Sequence, residues 1–156
     1  MEGPPDARAD GVDVLDPEAC LALLRTVALG RIAWSDADGR VQVRPVTFGL
    51  DGGCVAFRCG PGSMLDAIRE GRPVGFEADR IEPALRSGWS VLLVGATAEL
   101  DTASAGHPGS RIVDPWAGGE RPHLVRLRAG ELSGRRLRLA AGGVSVVRVG
   151  PDDAAG

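Results

Sequence analysis

Arg44, Arg58 and Ser63 are the residues of this chain whose types and spacing best suit chemistry on an anion. Arg44-Pro45-Val46-Thr47-Phe48 and Cys54-Val55-Ala56-Phe57-Arg58 alternate like strands. They flank Leu50-Asp51-Gly52-Gly53, where the Asp51-Gly52 pair is expected to supply the positive φ angles of a two-residue hairpin turn. The chain then turns through Gly60-Pro61-Gly62. Ser63 is predicted to cap a short helix in which Leu65, Ile68 and Arg69 follow a helical period. Two guanidinium groups, a hydroxyl and the free backbone N–H groups of a helix start would thus surround one small concavity, a donor set suited to a phosphate-bearing ligand. The plainer alternative makes Arg44 and Arg58 solvent-facing residues or ion-pair partners of Glu77 or Asp79.

Other chemistries are excluded by what the chain lacks. All 18 basic residues are arginine, so no lysine is available for an internal Schiff base or for a Walker-type phosphate site. Gly60-Pro61-Gly62 begins like a dinucleotide fingerprint, yet Leu65 stands where the third glycine belongs and the flanking strands read as antiparallel. There is no G-x-S-x-G elbow, and two distant histidines with three scattered cysteines do not make a zinc site. Arg126, Arg128, Arg135, Arg136 and Arg138 read as one solvated basic face.

At 156 residues, the chain is long enough for one domain that buries about 68–70% of its unfolded surface. A formal charge of −3 argues against nucleic acid as a partner, because such binders carry a basic excess. No apolar run reaches the roughly 18 residues of a membrane-spanning helix, and the first residues do not resemble a secretion signal. A cytoplasmic location without membrane contact is therefore expected, with Cys20, Cys54 and Cys59 as reduced, buried thiols.

These site residues need a scaffold, and the pattern of the chain describes one. Residues 1–12 read as a disordered tail, 13–150 as the domain and 151–156 as a flexible end. Asp16-Pro17-Glu18 opens a helix that carries Cys20, Leu23, Leu24 and Val27 on one face. Gly30 to Ser35, the turn Asp36-Ala37-Asp38-Gly39 and Arg40 to Arg44 make a first hairpin. Further strands are predicted over 72–78, 88–100 with a bulge at Gly95, 123–128, 134–139 and 144–149, with 101–121 as a long loop carrying Trp116. The fold class that follows is mainly β, a barrel of six or more largely antiparallel strands with two short helices.

In order and spacing, several fragments resemble one family. They are Gly30-Arg31-Ile32-Ala33, Arg44-Pro45-Val46-Thr47-Phe48, Asp51-Gly52-Gly53, Phe57-Arg58 with Gly62-Ser63, Gly88-Trp89-Ser90-Val91, and Pro115-Trp116 ahead of Arg126. Together they are similar to the pyridoxamine 5'-phosphate oxidase-like flavoproteins with the FMN-binding split-barrel fold, and among these to the small nitroimidazole-reductase-like branch. The resemblance implies a homodimer that holds FMN at its interface, with Arg58 and Ser63 at the phosphate and Arg44 and Val46 facing the ring. It also implies that Trp89 and Ser90 approach from the long strand, and that Trp116, with Arg121 or His123, comes from the neighbouring subunit. Relatives commonly place lysine or arginine after the serine, where this chain has Met64. The implied activity is transfer of hydride or electrons from a nicotinamide donor to a small oxidised acceptor, nitroreductase-like as one subtype. The alternatives are a noncatalytic protein that binds flavin, deazaflavin or haem, and a barrel serving as an interaction module.

Overall fold

A computed structural model describes residues 11–100, 116 and 118–138 of the chain. Most of the tail expected over 1–12, most of the loop over 101–121, the strand over 144–149 and the end over 151–156 fall outside the described residues. Seven strands and two helices follow in the order β1 (Val12–Leu15), α1 (Pro17–Leu24), β2 (Leu29–Ser35), β3 (Val41–Asp51), β4 (Cys54–Cys59), α2 (Ser63–Arg69), β5 (Val74–Glu82), β6 (Ser87–Leu100) and β7 (His123–Leu137). A single 3₁₀ turn, Pro83–Leu85, joins β5 to β6.

All strand pairs are antiparallel and the sheet closes on itself. The order β7-β4-β3-β2-β5-β6 returns to β7, giving a six-stranded barrel to which β1 is added. The closure depends on the length of β7. Along one edge it pairs first with β4 (Phe57↔Val125) and then with β1 (Val14↔Arg135); along the other it pairs with β6 throughout. The two strands expected over 123–128 and 134–139 are therefore one continuous strand, and Gly134, which suggests a break, instead makes room for the α1 contact. A Cβ at Gly134 would lie 2.5 Å from the Cys20 sulfur. The bulge expected at Gly95 is present as a register shift between Val94 and Gly95. There the strands approach so closely that a Cβ would stand 1.8 Å from the Arg128 carbonyl oxygen.

Alternation places the core inside the barrel. Ile32 and Trp34 from β2, Val55 and Phe57 from β4, Phe76 and Ala78 from β5, Val91 and Leu93 from β6, and Val125 and Leu127 from β7 are buried together. Phe48 meets Phe76 edge-on, with ring centres 4.8 Å apart. The helices plug the barrel with Cys20 and Leu24 of α1 and Leu65, Ala67 and Ile68 of α2. Asp16 caps α1 as its sequence suggests, accepting from the Ala19 N–H at 2.8 Å, but the helix ends at Leu24, one turn before Val27. All three cysteines are free and buried, and burial pushes the Cys20 thiol up from its ordinary pKa.

Two local expectations are corrected. The β3–β4 turn is formed by Gly52 and Gly53, at φ 54° and 81°, while Asp51 still belongs to the ladder and pairs with Cys54. Two glycines adopt the left-handed region with less strain than Asp-Gly, which explains the shift by one residue. Ser63 is not the cap of α2. Gly62 holds that position at φ 143°, a conformation that strongly favours glycine, and Ser63 becomes the first helical residue.

Candidate functional site

The end of the barrel where β2, β3 and β4 meet the glycine loop contains a cavity of about 320 Å³. Each strand brings one element of it. β2 supplies Trp34, β3 supplies Arg44, Pro45 and Val46, and β4 supplies Arg58 and Cys59 at its last two positions. Gly60-Pro61-Gly62 and the first residues of α2, Ser63 and Met64, form one wall, and Gly118 to Arg121, leading into β7, form the facing one. The two walls approach closely: a Cβ on Gly60 would lie 3.2 Å from the Glu120 carbonyl oxygen. The volume is at the lower end of the range of about 300–1,000 Å³ in which small molecules bind.

Positive charge dominates this lining. Three arginines, Arg44, Arg58 and Arg121, line it together with one acidic residue, Glu120. Arg44 is exposed at the rim, Arg58 is half-buried, and Arg121 is half-buried on the opposite side. The carboxylates of Glu77 and Asp79, the alternative partners for Arg44 and Arg58, are taken by Arg31 on the outer wall at 3.0 and 3.4 Å. Trp34 is 4% exposed, and its indole N–H donates to the Ser63 hydroxyl oxygen at 3.2 Å, tying the barrel wall to the start of α2.

Five of the eight predicted site residues, Arg44, Val46, Arg58, Ser63 and Met64, line this single cavity. The other three are elsewhere. Trp89 is 8% exposed within the core, Ser90 is half-buried on β6, and Trp116 is 73% exposed, none of them lining the cavity. Trp34, Cys59 and Gly118 to Glu120 were not among the predicted site residues, and Arg121, expected from the neighbouring subunit, lines the cavity of its own chain. Strand alternation identifies Trp34 as inward-facing but cannot show that it lines the cavity. The 118–121 wall is brought there by the long β7, whose length the sequence conceals. Among the described residues, no group of three or more His, Cys, Asp or Glu is placed to hold a metal ion. No helix among them is long and apolar enough to cross a membrane.

A family model described as pyridoxamine 5'-phosphate oxidase matches residues 16–136, from the cap of α1 to the end of β7. The chain belongs to this family. An uncharacterised protein of Mycobacterium tuberculosis is 27% identical over 128 residues, covering 79% of this chain and 84% of the relative. Among solved structures, the FAD binding protein from Mycobacterium smegmatis aligns with a TM-score of 0.59 and 29% identity, covering 81% of this chain and 99% of that one. An FAD-binding protein from Mesorhizobium loti aligns with a TM-score of 0.66 and 25% identity, covering 80% and 96%. The family match thus spans every element that lines the cavity, and flavin is bound by proteins built on the same barrel.

Proposed function

We propose that this protein is a flavin-dependent oxidoreductase that binds FMN in the cavity of Arg44, Arg58 and Ser63 and passes reducing equivalents from a nicotinamide donor to a small oxidised acceptor. The observation that carries this reading is the convergence of three arginines and a glycine loop on one cavity. A phosphate is an acceptor-only dianion at neutral pH, and guanidinium groups bind it with paired, charge-assisted hydrogen bonds. The lining fits that end of a flavin: its donors outnumber its single carboxylate, and Gly60 and Gly62 keep one wall free of side chains. A flavin held there would supply the redox chemistry. The chain's own residues bind, orient and screen: Arg44 and Arg58 hold negative charge, Val46 and Pro45 offer an apolar edge, and Trp34 closes the floor against water.

A homodimer is part of the same proposal. The outer face of β3-β2-β5-β6 carries one apolar row, Val43-Ala33-Gly75-Val94, in which each residue stands directly opposite the next. Val43 is 57% exposed, and Val41 and Leu92 extend the band on either side. Exposed apolar bands of this kind mark association surfaces. Pro45, which lines the cavity, stands on the same face of β3 as Val41 and Val43, and this supports a site completed by a second copy.

The absorbance spectrum of the purified protein, as isolated and after incubation with FMN or FAD, tests the reading. Bands at about 375 and 450 nm that bleach under anaerobic NADH or NADPH are expected. A Soret band assigns the cavity to haem instead, and a spectrum with protein absorbance alone after incubation overturns the flavin reading. Sedimentation of the native chain against Val43→Asp tests the dimer, with a shift to monomer expected.

A further inference from the structure

Trp34 combines two properties that are rarely both needed for packing. It is 4% exposed in the core, and its indole N–H, a donor that must find an acceptor when buried, reaches a hydroxyl at the cavity wall. That acceptor, Ser63 Oγ, lies 3.2 Å from Nε1, and both residues line the cavity. The loop before Ser63 contributes no side-chain cap to α2, and this hydrogen bond joins the first residue of the helix to β2. Its chemical consequence is directional. A serine hydroxyl carries one proton and two lone pairs. When one lone pair is engaged by an indole N–H, the hydroxyl is left biased toward donating its own proton, in a cavity whose other polar groups are mostly guanidinium donors.

We propose that Trp34 is a positioning residue that fixes Ser63 as a donor to a phosphate monoester, so that the cavity distinguishes a phosphorylated ligand from the same ligand without its phosphate. This rests on the reading of the cavity as the phosphate end of a flavin site. FMN and riboflavin differ only in that phosphate and give the comparison directly. Trp34→Phe keeps an aromatic ring in the core and removes the N–H. It is expected to weaken FMN about three- to tenfold, the size of one hydrogen bond, while leaving riboflavin affinity unchanged. Ser63→Ala is expected to produce the same loss, and the double variant Trp34→Phe/Ser63→Ala no further loss, because both act through one donor.

An independent measurement uses inorganic phosphate as the probe. The Trp34 indole N–H resonance, assigned by its disappearance in Trp34→Phe, is expected to shift on phosphate addition in the native chain and to stay fixed in Ser63→Ala. If flavins fail to bind but phosphate moves this resonance, the flavin reading falls and the role of Trp34 stands. If FMN binds while the ratio of FMN to riboflavin affinity is the same in Trp34→Phe, and phosphate leaves the indole unmoved, the role of Trp34 is overturned and the flavin reading survives. If neither flavins nor phosphate have any effect, both are wrong.

Discussion

On the outer wall of the barrel one arginine, Arg31, sits between two carboxylates, whereas the cavity rim gathers Arg44, Arg58 and Arg121 around the single carboxylate of Glu120. Arg31 and Arg44 lie on neighbouring strands, and Pro45, next to Arg44, stands opposite Arg31 in the ladder. Strand position alone does not separate their roles. Charge balance does: Glu77 and Asp79 more than neutralise Arg31, while the rim keeps an excess of positive charge. Arg126 and Arg138 follow the pattern of Arg31. Arg126 donates to the Asp51 carbonyl oxygen at 3.2 Å and makes an ion pair with the Asp51 carboxylate, its Nε placed at 3.1 Å without hydrogen-bond alignment; Arg138 pairs with Asp13. On this barrel, Arg31, Arg126 and Arg138 hold strands and turns together, and Arg44, Arg58 and Arg121 line a shared space.

Removing the rim charge is expected to produce the largest effect. Arg44→Ala together with Arg58→Ala should weaken FMN by about a hundredfold or more, since each charge-assisted hydrogen bond contributes on the order of 1.5–3 kcal/mol. Fluorescence titration with FMN, and with riboflavin as the control, reads this. Equal losses for the two ligands would erase the distinction between rim and wall. Next in size is a gain. Met64 lines the cavity at the position where relatives commonly carry a cation, so Met64→Lys is expected to tighten FMN about tenfold in the same titration. Unchanged affinity there would place the phosphate away from α2.

The reach of sequence reasoning follows the same division between local and distant. The fragments Arg44–Phe48, Cys54–Arg58 and Gly60–Ser63 are close in sequence, so alternation and turn chemistry were enough to bring Arg44, Arg58 and Ser63 together, while Val46 and Met64 came from the resemblance. Gly95 was readable as a bulge because a lone glycine in an apolar strand has few other uses. Trp89 and Ser90 were assigned to the site from resemblance; Trp89 is buried on β6, and neither lines the cavity of its own chain. Gly134 misled for a different reason: a glycine in a strand marks either an end or a tight contact, and the contact here, with Cys20 of α1, spans more than a hundred residues of chain. Arg121 reached the cavity of its own chain by the same long-range closure of β7.

The wall arginine is expected to matter for stability and not for the ligand. Arg31→Met should lower stability by no more than about 1 kcal/mol, the scale of a partly exposed ion pair, and leave FMN affinity unchanged. Its pH dependence is more telling. Burial, and then the neighbouring Asp79 charge, raise the Glu77 carboxyl above its ordinary value of 4.5, although Arg31 opposes this. A raised acid binds its proton more tightly in the folded protein than in the unfolded chain, so the stability it contributes is complete below 4.5 and is lost as pH rises through the elevated value. Without Arg31 that loss should be larger in thermal melts as pH rises above 4.5, and Glu77→Gln should remove it.

The smallest effect is expected at the β2–β3 turn, where a carboxylate works without any arginine at its centre. Asp36 accepts from the Gln42 amide at 2.9 Å and from the backbone N–H groups of Arg40 and Asp38 at 2.9 and 3.0 Å. These bonds, the Gln42 amide first, hold its carboxyl below the ordinary value of 3.8. The sign is opposite to that of Glu77: the stabilisation is present above 3.8 and disappears as pH falls through the depressed value. Asp36→Asn should flatten the acid limb of the melting curve while leaving the Glu77 limb above it and the affinity for FMN as they were. A change in FMN binding would mean that the turn and the rim are coupled through β3, and that the separation of wall from rim is incomplete.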